Sequence, residues 1–401
     1  MPSLFQPPPL PESPLGWHRV LSPTASVKVS PICLGGISLG NDWSELFGES
    51  EDAFSLLDAF FRLGGNFVDT ANHYNAGNSE RLLGEWMKAR GVRDQMVIAT
   101  KYSGGGWRAE SREREPLQSN FAGNSAKSMH LSVRESLHKL NTDYIDILYV
   151  HWRDFTTSVE EVMRSLHSYI VSRQALYLGV SDTPAWVVVK ANEFARRNRL
   201  TPFSVYQGRW SANFRDMEAE VIPMCQDQGM GIVPWAALGG GHLLSVEQRR
   251  EKEATSKEQK SYYSTNKSDL AVCDALESIA SSRGTTVQAI ALAYLFKQTT
   301  YVFPIVGVQT KAHVLAMGEA LTVKLTDEES EAIQNAAPFN PLFPMNFLFS
   351  AEDGKGYHVG LTGKDVVPYK SNAWIDVPGK PPNESLVFVE GCVRLGLYLV
   401  E

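Results

Sequence analysis

The sequence predicts an α/β protein with the architecture of a (β/α)8 TIM barrel. Eight short apolar segments alternate with segments of helical periodicity over about 300 residues, as this architecture requires. No G-x-G-x-x-G motif follows the first predicted strand, which argues against a doubly wound dinucleotide-binding sheet. Ionisable residues also stand where several predicted strands end, at the rim that carries the catalytic groups of barrels.

The helices are predicted from their apolar stripes and from residues typical of helix ends. Residues 51–63 carry apolar side chains on one face, and two glycines follow, where we expect the helix to end. Residues 158–171 show the clearest stripe in the chain. Pro184 opens another helix at a position where its missing N–H costs little. Thr326 begins a further helix, with Glu329 as its capping-box partner.

The strands are predicted as short apolar runs between the helices. A small hairpin over residues 17–29 precedes the barrel, and an extra helix and a tail follow it. The eight predicted barrel strands are residues 29–34, 66–68, 96–100, 144–150, 176–180, 203–206, 231–234 and 302–306. Beyond those already given, the predicted helices include residues 125–140, 217–228, 270–282, 286–297 and 311–321.

Three segments fall outside this alternation. Residues 1–16 are rich in proline and are predicted to be disordered or loosely held extended chain. Residues 243–269 form a charged insertion, predicted to be a solvated loop or, alternatively, a lid. We therefore predict a barrel domain over residues 17–349 and a C-terminal extension over residues 350–401 with no assigned role.

Composition excludes several functional classes. The 401 residues are 43% hydrophobic, enough for a substantial core, and carry a net charge of −7 with no basic stripe, so we expect no nucleic-acid partner. The four cysteines lie far apart without a metal-ligand spacing, which predicts free thiols, a reducing compartment and no metal site. No secretory signal and no membrane-spanning segment are recognisable, so we expect a cytoplasmic protein.

An acid, a phenol and an amine follow two neighbouring predicted strands. Asp69 stands where one strand stops, Tyr74 lies in the following loop, and Lys101 stands where the next strand stops. Because parallel strands joined by a helix lie side by side, these ends open on one face. A nearby Lys101 would lower the pKa of the Tyr74 phenol and make it a general acid. The same pattern also fits a structural ion pair between Asp69 and Lys101, with Tyr74 as loop packing.

His151 ends the predicted fourth strand and faces the same rim. A single histidine is often a hydrogen-bonded core residue, but here it would join three other titratable residues. We therefore predict a catalytic site from Asp69, Tyr74, Lys101 and His151. The side chains of Trp43, Trp107 and Trp152 are candidate pocket walls, although each also suits core packing.

Several spaced motifs resemble the aldo-keto reductase superfamily over residues 17–349. They are GNFVDTANHY at residues 65–74, SERLLG at 79–84, ATK at 99–101 and DYIDILYVH at 143–151. Within that superfamily, YVHW at residues 149–152, IVG at 305–307, APFN at 337–340 and FPMNF at 343–347 are most similar to the fungal aryl-alcohol dehydrogenase and norsolorinic acid reductase group. The resemblance implies the same catalytic tetrad and NADPH held extended across the barrel mouth.

The resemblance also implies which residues contact the cofactor. It assigns Ser181, Asp182 and Gln207 to the nicotinamide carboxamide and Trp235 to stacking on the nicotinamide ring. The segment after Trp235 would cover the pyrophosphate, and the segment after the last strand would take the adenosine 2′-phosphate. The remaining implied contacts are Gly36, Ile37, Asp69, Ala236, Leu238, Gly240, Gly307, Gln309, Lys311 and His313.

Three positions depart from the pattern of that family. Asp182 replaces the usual asparagine, Gln309 stands where a relative carries an arginine, and Met317 stands where a relative carries an asparagine. The preference of the protein between NADP and NAD is therefore left open. The resemblance implies NADP-dependent reduction of an aromatic aldehyde or ketone in fungal secondary metabolism, by a monomer or weak homo-oligomer. Two alternatives remain: an NADPH-binding regulatory or redox-sensing module, and an enzyme that works in the direction of alcohol oxidation.

Overall fold

An eight-stranded parallel sheet forms the centre of the protein. The structure is a computed structural model and describes residues 9–107, 111–255, 267–351 and 356–377. The barrel strands are β3 (Cys33–Gly35), β4 (Phe67–Asp69), β5 (Val97–Tyr102), β6 (Ile145–Val150), β7 (Ala175–Ser181), β8 (Val205–Arg209), β9 (Gly231–Trp235) and β10 (Ile305–Gly307). They pair in chain order, β10 also pairs with β3, and a bridge between Ile232 and Val302 joins the two edges. The predicted (β/α)8 barrel is confirmed.

Helices surround this barrel in the described part of the chain. The two short strands before it are β1 (Arg19–Ser22) and β2 (Ala25–Val29). The helices of the first half are α1 (Ser44–Phe47), α2 (Ala53–Arg62), α3 (Asn78–Arg90), α4 (Ala126–Lys139), α5 (Val159–Val171), α6 (Ala185–Arg197) and α7 (Val221–Gln228). The later helices are α8 (Val246–Thr255), α9 (Lys267–Arg283), α10 (Val287–Gln298), α11 (Lys311–Ala316), α12 (Asp327–Ala336), α13 (Met345–Leu348) and α14 (Val367–Lys370). The predicted capping box of Thr326 and Glu329 opens α12.

The barrel interior is filled by side chains, and one end is closed. Phe67, Ile147, Tyr149 and Phe303 are buried there, together with Leu21 from the hairpin β1–β2. A Cβ at Gly179 would lie 2.4 Å from the Tyr149 ring, so this glycine makes room for the phenol. The hairpin covers the end where the strands begin, and Thr24 there donates to the carbonyl of Gly229 at 2.9 Å. We therefore expect ligands to approach from the mouth where the strands end.

Two sequence-based expectations need correction. The insertion at 243–269 is not simply a solvated loop, because its first part forms α8, where Arg249 pairs with Asp274 of α9 at 3.0 Å. Glutamate, lysine and arginine are good helix formers, so a charged segment can fold as a surface helix. Residues 256–266 lie outside the described residues, as does any lid formed by them. The strand predicted at 203–206 is β8, so Gln207 lies inside it and not at its end.

The described part of the N-terminal segment is held more closely than predicted, and part of the C-terminal extension packs on the barrel. Residues 1–8 lie outside the described residues, but Leu15 is fully buried in the main core, so residues up to 16 are not all loosely held. In the extension, the side chains of Ala351, Tyr357 and Val359 are buried. Tyr357 accepts a hydrogen bond from Arg215 on its carbonyl at 2.9 Å. Among the described residues, none of the helices is long and apolar enough to cross a membrane.

Candidate active site

The predicted tetrad residues meet at the mouth of the barrel. Asp69 ends β4, Lys101 lies near the end of β5, and His151 follows β6. Tyr74 begins a short 3-10 turn in the loop after β4. Neighbouring strands β4, β5 and β6 are paired in parallel, so their ends bring the four residues to one side.

The amine of Lys101 connects the acid to the phenol. Its Nζ donates to Asp69 Oδ1 at 2.5 Å, to the carbonyl of Thr70 at 2.8 Å and to Tyr74 Oη at 3.2 Å. The second carboxylate oxygen of Asp69 accepts a hydrogen bond from Gln207 Nε2 at 2.8 Å. All three protons of the ammonium therefore have acceptors, and its direction toward the phenol is fixed.

Burial and charge act in opposite directions on these groups. Burial lowers the pKa of Lys101, but Asp69 and Tyr74 raise it more, so the net shift is upward and the amine stays charged. Burial also raises the pKa of Asp69, and Lys101 opposes this shift. For Tyr74, burial raises the pKa and Lys101 lowers it, with a net rise. Lys101 thus acts on the phenol as predicted, but burial outweighs it, and Tyr74 carries its proton at neutral pH.

A strained turn fixes the position of Tyr74. The three residues after it, Asn75, Ala76 and Gly77, all have left-handed backbone conformations, with φ of 47°, 52° and 91°. The Asn75 side chain donates to the carbonyls of Ile37 at 2.6 Å and Leu39 at 3.2 Å. Asparagine tolerates this conformation better than most residues, and these bonds join the turn to the loop after β3.

His151 is packed against a second histidine that the sequence analysis did not assign. The His73 ring lies 5.1 Å from the His151 ring and 5.2 Å from the Tyr74 ring, between centroids. Burial, with Lys101 and His73, lowers the pKa of His151 well below its ordinary value. Burial and two lysines lower the pKa of His73 to about 4. Both imidazoles are therefore neutral at neutral pH. The only signal for His73 was its place directly before Tyr74.

Two of the three candidate tryptophans line this site. The Trp152 ring lies 4.4 Å from the His151 ring, and the Trp43 ring lies 6.3 Å from the Tyr74 ring, between centroids. Trp107 instead packs on Phe121 at 5.5 Å and donates its indole N–H to the Phe121 carbonyl. The pocket beside Tyr74 therefore has aromatic walls, as predicted for two of these residues.

Residues implied at the nicotinamide lie at the ends of β7 and β9 and inside β8. Trp235 Nε1 donates to Asp182 Oδ1 at 3.0 Å, and Asp182 is exposed at the mouth. Partial removal from water raises the pKa of Asp182, and the Trp235 N–H opposes this shift. Ser181 is buried directly before Asp182. Gln207 donates to Asp69 at 2.8 Å, a link between residues 138 positions apart that was not predicted from the sequence.

Residues implied at the adenosine phosphate lie at the other side of the mouth and are already tied to the loop before α2. Gln309 accepts a hydrogen bond on its carbonyl from Glu51 N at 2.8 Å, and its side chain donates to the carbonyl of Phe47. The amide of Lys311 donates to Glu51 Oε2 at 3.2 Å. The side chains of Lys311 and His313 are exposed. The carboxylate of Glu51 therefore lies where the resemblance implies a phosphate.

The remaining implied cofactor residues also lie at strand ends around the mouth. Gly36 and Ile37 form a 3-10 turn after β3, and a Cβ at Gly36 would lie 2.6 Å from the carbonyl of Asp69. Gly307 ends β10, where a Cβ would meet nothing within 4 Å. Ala236, Leu238 and Gly240 lie in the turn after β9.

Two buried polar atoms at this mouth suit a bound polar ligand. The Ser181 hydroxyl and His151 Nδ1 are buried and have no hydrogen-bond partner among the described residues. Such atoms are costly unless a ligand or water satisfies them. A carboxamide beside Ser181 and a carbonyl beside His151 would supply partners, so the residues present fit a nicotinamide cofactor and a carbonyl substrate.

Comparisons with known proteins agree with this geometry. The sequence model of the aldo/keto reductase family matches residues 31–338. Norsolorinic acid reductase A of Aspergillus parasiticus is 47% identical over 384 residues, covering 94% of this chain and 96% of that protein. An aryl-alcohol dehydrogenase [NADP(+)] of Phanerodontia chrysosporium is 45% identical, covering 89% of this chain and 94% of that protein. A putative aryl-alcohol dehydrogenase of Saccharomyces cerevisiae is 44% identical, with coverages of 87% and 94%. The chain therefore belongs to the aldo/keto reductase family and is an oxidoreductase that acts on carbonyl or alcohol groups.

Proposed function

We propose that this protein is an NADP-dependent reductase that converts aromatic aldehydes or ketones to alcohols. One observation carries the proposal: Lys101 Nζ lies 2.5 Å from Asp69 and 3.2 Å from the Tyr74 hydroxyl. The names of the norsolorinic acid reductase and aryl-alcohol dehydrogenase relatives support an aromatic substrate, and one of them supports NADP. By the same resemblance, we assign the reaction to fungal secondary metabolism.

Each of the four residues has a different role in the protonation of the carbonyl oxygen. Bound NADPH would supply the hydride to the carbonyl carbon. The Tyr74 phenol donates its proton to the carbonyl oxygen, and the nearby Lys101 ammonium stabilises the phenolate that remains. Asp69 keeps Lys101 charged and directed at the phenol. The neutral imidazole of His151 orients the carbonyl beside Tyr74 by hydrogen bonding.

Further residues would position the two ligands. Ser181, Asp182 and Gln207 would hold the nicotinamide end, and the side chain of Trp235 would lie against the ring. Gln309, Lys311 and His313 would contact the adenosine end. Aromatic substrates would pack on Trp43, His73 and Trp152, whose rings already surround the Tyr74–His151 pair.

The experiment compares wild-type protein with Tyr74→Phe. Purified protein is mixed with NADPH and a panel of aryl aldehydes and aryl ketones, and loss of nicotinamide absorbance is followed. We expect turnover of at least one substrate and a loss of about two orders of magnitude or more in Tyr74→Phe, because a positioned acid contributes on that scale. Tyr369→Phe, which changes an exposed tyrosine of the extension, is the matched control and should keep full activity.

Cofactor binding separates this proposal from its alternative. Fluorescence titration with NADPH should give the same affinity for wild-type protein and Tyr74→Phe, because the phenol acts on the substrate oxygen. NADPH binding without turnover of any substrate would instead favour the regulatory or redox-sensing module. The connected Asp69–Lys101–Tyr74 triad favours an enzyme, since a sensor has no need of a phenol that carries its proton beside a fixed ammonium.

A further inference from the structure

Asp182 is held in one direction at the mouth of the barrel. Its backbone is left-handed, with φ of 40°, and its amide donates to the carbonyl of Gln207 at 3.1 Å. The next residue, Thr183, exchanges two hydrogen bonds with the Tyr206 hydroxyl, at 3.2 Å and 2.9 Å. The indole of Trp235 then fixes the carboxylate itself at 3.0 Å. Asp182 is therefore positioned as a rigid group, although it is exposed.

The charge of Asp182 is only partly balanced, because Lys101 lowers the pKa of Asp182 without forming an ion pair with it. Lys101 pairs with Asp69 at 2.5 Å and Lys139 pairs with Glu80 at 2.6 Å, so these two pairs leave no net charge. Within the described ranges, Asp182 takes part in no ion pair. Asp182 nevertheless lies close to the tetrad, because its amide donates to the carbonyl of Gln207, whose side chain donates to Asp69 at 2.8 Å. Its charge also contributes to the raised pKa of Tyr74. Asp182 thus adds a negative charge close to the tetrad that no ion pair neutralises within the described residues.

We infer that Asp182 makes this protein bind an oxidised nicotinamide more tightly than a reduced one. The oxidised ring carries a positive charge and the reduced ring is neutral, while the rest of the cofactor is the same in both. A fixed carboxylate beside the ring stabilises only the cation. The inference rests on the proposed function, since it requires a nicotinamide cofactor at this mouth.

This preference favours carbonyl reduction on the protein. A bound reduced cofactor would supply the hydride to the carbonyl carbon and would then carry a positive charge on its ring, while Tyr74 transfers its proton to the carbonyl oxygen. The carboxylate of Asp182 would stabilise the positive charge on the ring, and it would thereby favour hydride donation. A tenfold preference for the oxidised form lowers the midpoint potential of the bound two-electron couple by about 30 mV.

The experiment measures dissociation constants for NADP⁺ and NADPH in the absence of substrate. Wild-type protein and Asp182→Asn are titrated by quenching of tryptophan fluorescence at low and high salt. Asparagine suits the left-handed backbone and can still accept the Trp235 hydrogen bond, so the variant removes the charge alone. We expect the ratio of the NADP⁺ to the NADPH constant to rise roughly tenfold in Asp182→Asn, the scale of one screened charge interaction.

A matched control separates this effect from the general charge of the mouth. Glu51→Gln also removes one negative charge, but at the opposite side, beside Lys311. It should change both dissociation constants by the same factor and leave their ratio unaltered. An unchanged ratio in Asp182→Asn, with both forms still bound, overturns the inference and leaves the proposed function standing. If neither form binds to wild-type protein, the proposed function fails and the inference fails with it.

Discussion

The two sides of the barrel mouth are built differently. On one side, Asp69, Lys101 and Gln207 are buried and joined by hydrogen bonds of 2.5 Å and 2.8 Å. On the other side, the side chains of Lys311 and His313 are exposed at the first turn of a six-residue helix. The first side is fixed before any ligand arrives, whereas the second depends on which contacts a ligand can replace.

Under the proposed function, this difference separates the residues of the reaction from those that bind the cofactor phosphate. A proton donor must be directed before the reaction, and only buried partners hold a long lysine side chain in one position. A phosphate can be bound by exposed cations, but each such contact is weak and screened by salt. We call the side with Asp69, Lys101 and Gln207 the tetrad side, and the side with Lys311 and His313 the adenosine side. We expect substitutions on the tetrad side to change both activity and stability. Substitutions on the adenosine side should change only the affinity for the cofactor.

The largest contrast should come from two lysine substitutions. Lys101→Met removes the cation beside Tyr74 and leaves the Asp69 carboxylate buried without its partner. We expect turnover to fall by about 10²–10⁴-fold and the free energy of unfolding to fall by about 3–5 kcal/mol. Lys311→Met removes an exposed cation and should change the free energy of unfolding by no more than about 0.5 kcal/mol. Steady-state kinetics and urea unfolding measure both.

A double variant keeps this prediction decisive if Lys101→Met is poorly folded. Adding Asp69→Asn removes the uncompensated charge, so the double variant should recover much of the lost stability. It should recover no activity, because the phenol still lacks its cation. Equal losses of activity in Lys101→Met and Lys311→Met would show that the two sides do not differ in the way described.

The contrast also explains what could be predicted from sequence. The barrel, and the meeting of the four tetrad residues at its mouth, were predictable because alternating segments and strand-end residues are local features of the sequence. The bond from Gln207 to Asp69 was not, because these residues are 138 positions apart and only the closed barrel joins them. The same holds for Glu51 and Lys311, which are 260 positions apart. The helix α8 was missed because its charged sequence has no apolar stripe.

Acid should destabilise the tetrad side through its histidines. The pKa of His73 is lowered from 6.5 to about 4 in the folded protein. As pH falls below 6.5, His73 of the unfolded chain binds a proton, whereas His73 of the folded chain does not bind one until near pH 4. The free energy of unfolding therefore falls as pH decreases from 6.5 to about 4. From about pH 7 to about pH 5, this site should lower the free energy of unfolding by about 1–2 kcal/mol.

The variant His73→Phe tests whether His73 causes this dependence of the free energy of unfolding on pH. Phenylalanine keeps a ring against Trp43, Tyr74 and His151 but cannot be protonated. Urea unfolding from about pH 7 to about pH 5 should show a smaller loss of stability in the variant than in wild-type protein. Some loss should remain, since the pKa of His151 is also lowered and acts in the same direction. Identical slopes for the two proteins would mean that His73 is accessible to protons in the folded state.

The smallest effect should come from Glu51 on the adenosine side. Its carboxylate accepts a hydrogen bond from the amide of Lys311 at 3.2 Å. Lys311 belongs to the segment where we propose that the 2′-phosphate binds. Glu51→Gln keeps an acceptor for that amide and removes a like charge from the phosphate. The dissociation constant for NADPH should therefore fall about two- to fivefold at low salt, and less at high salt, since exposed charge interactions are weak and screened. NADH lacks the phosphate, so its dissociation constant should change less.

Glu328→Gln, on the exposed face of α12, controls for net charge. An unaltered preference between NADPH and NADH would place the phosphate away from this segment, and the two sides of the mouth would then not divide chemistry from recognition.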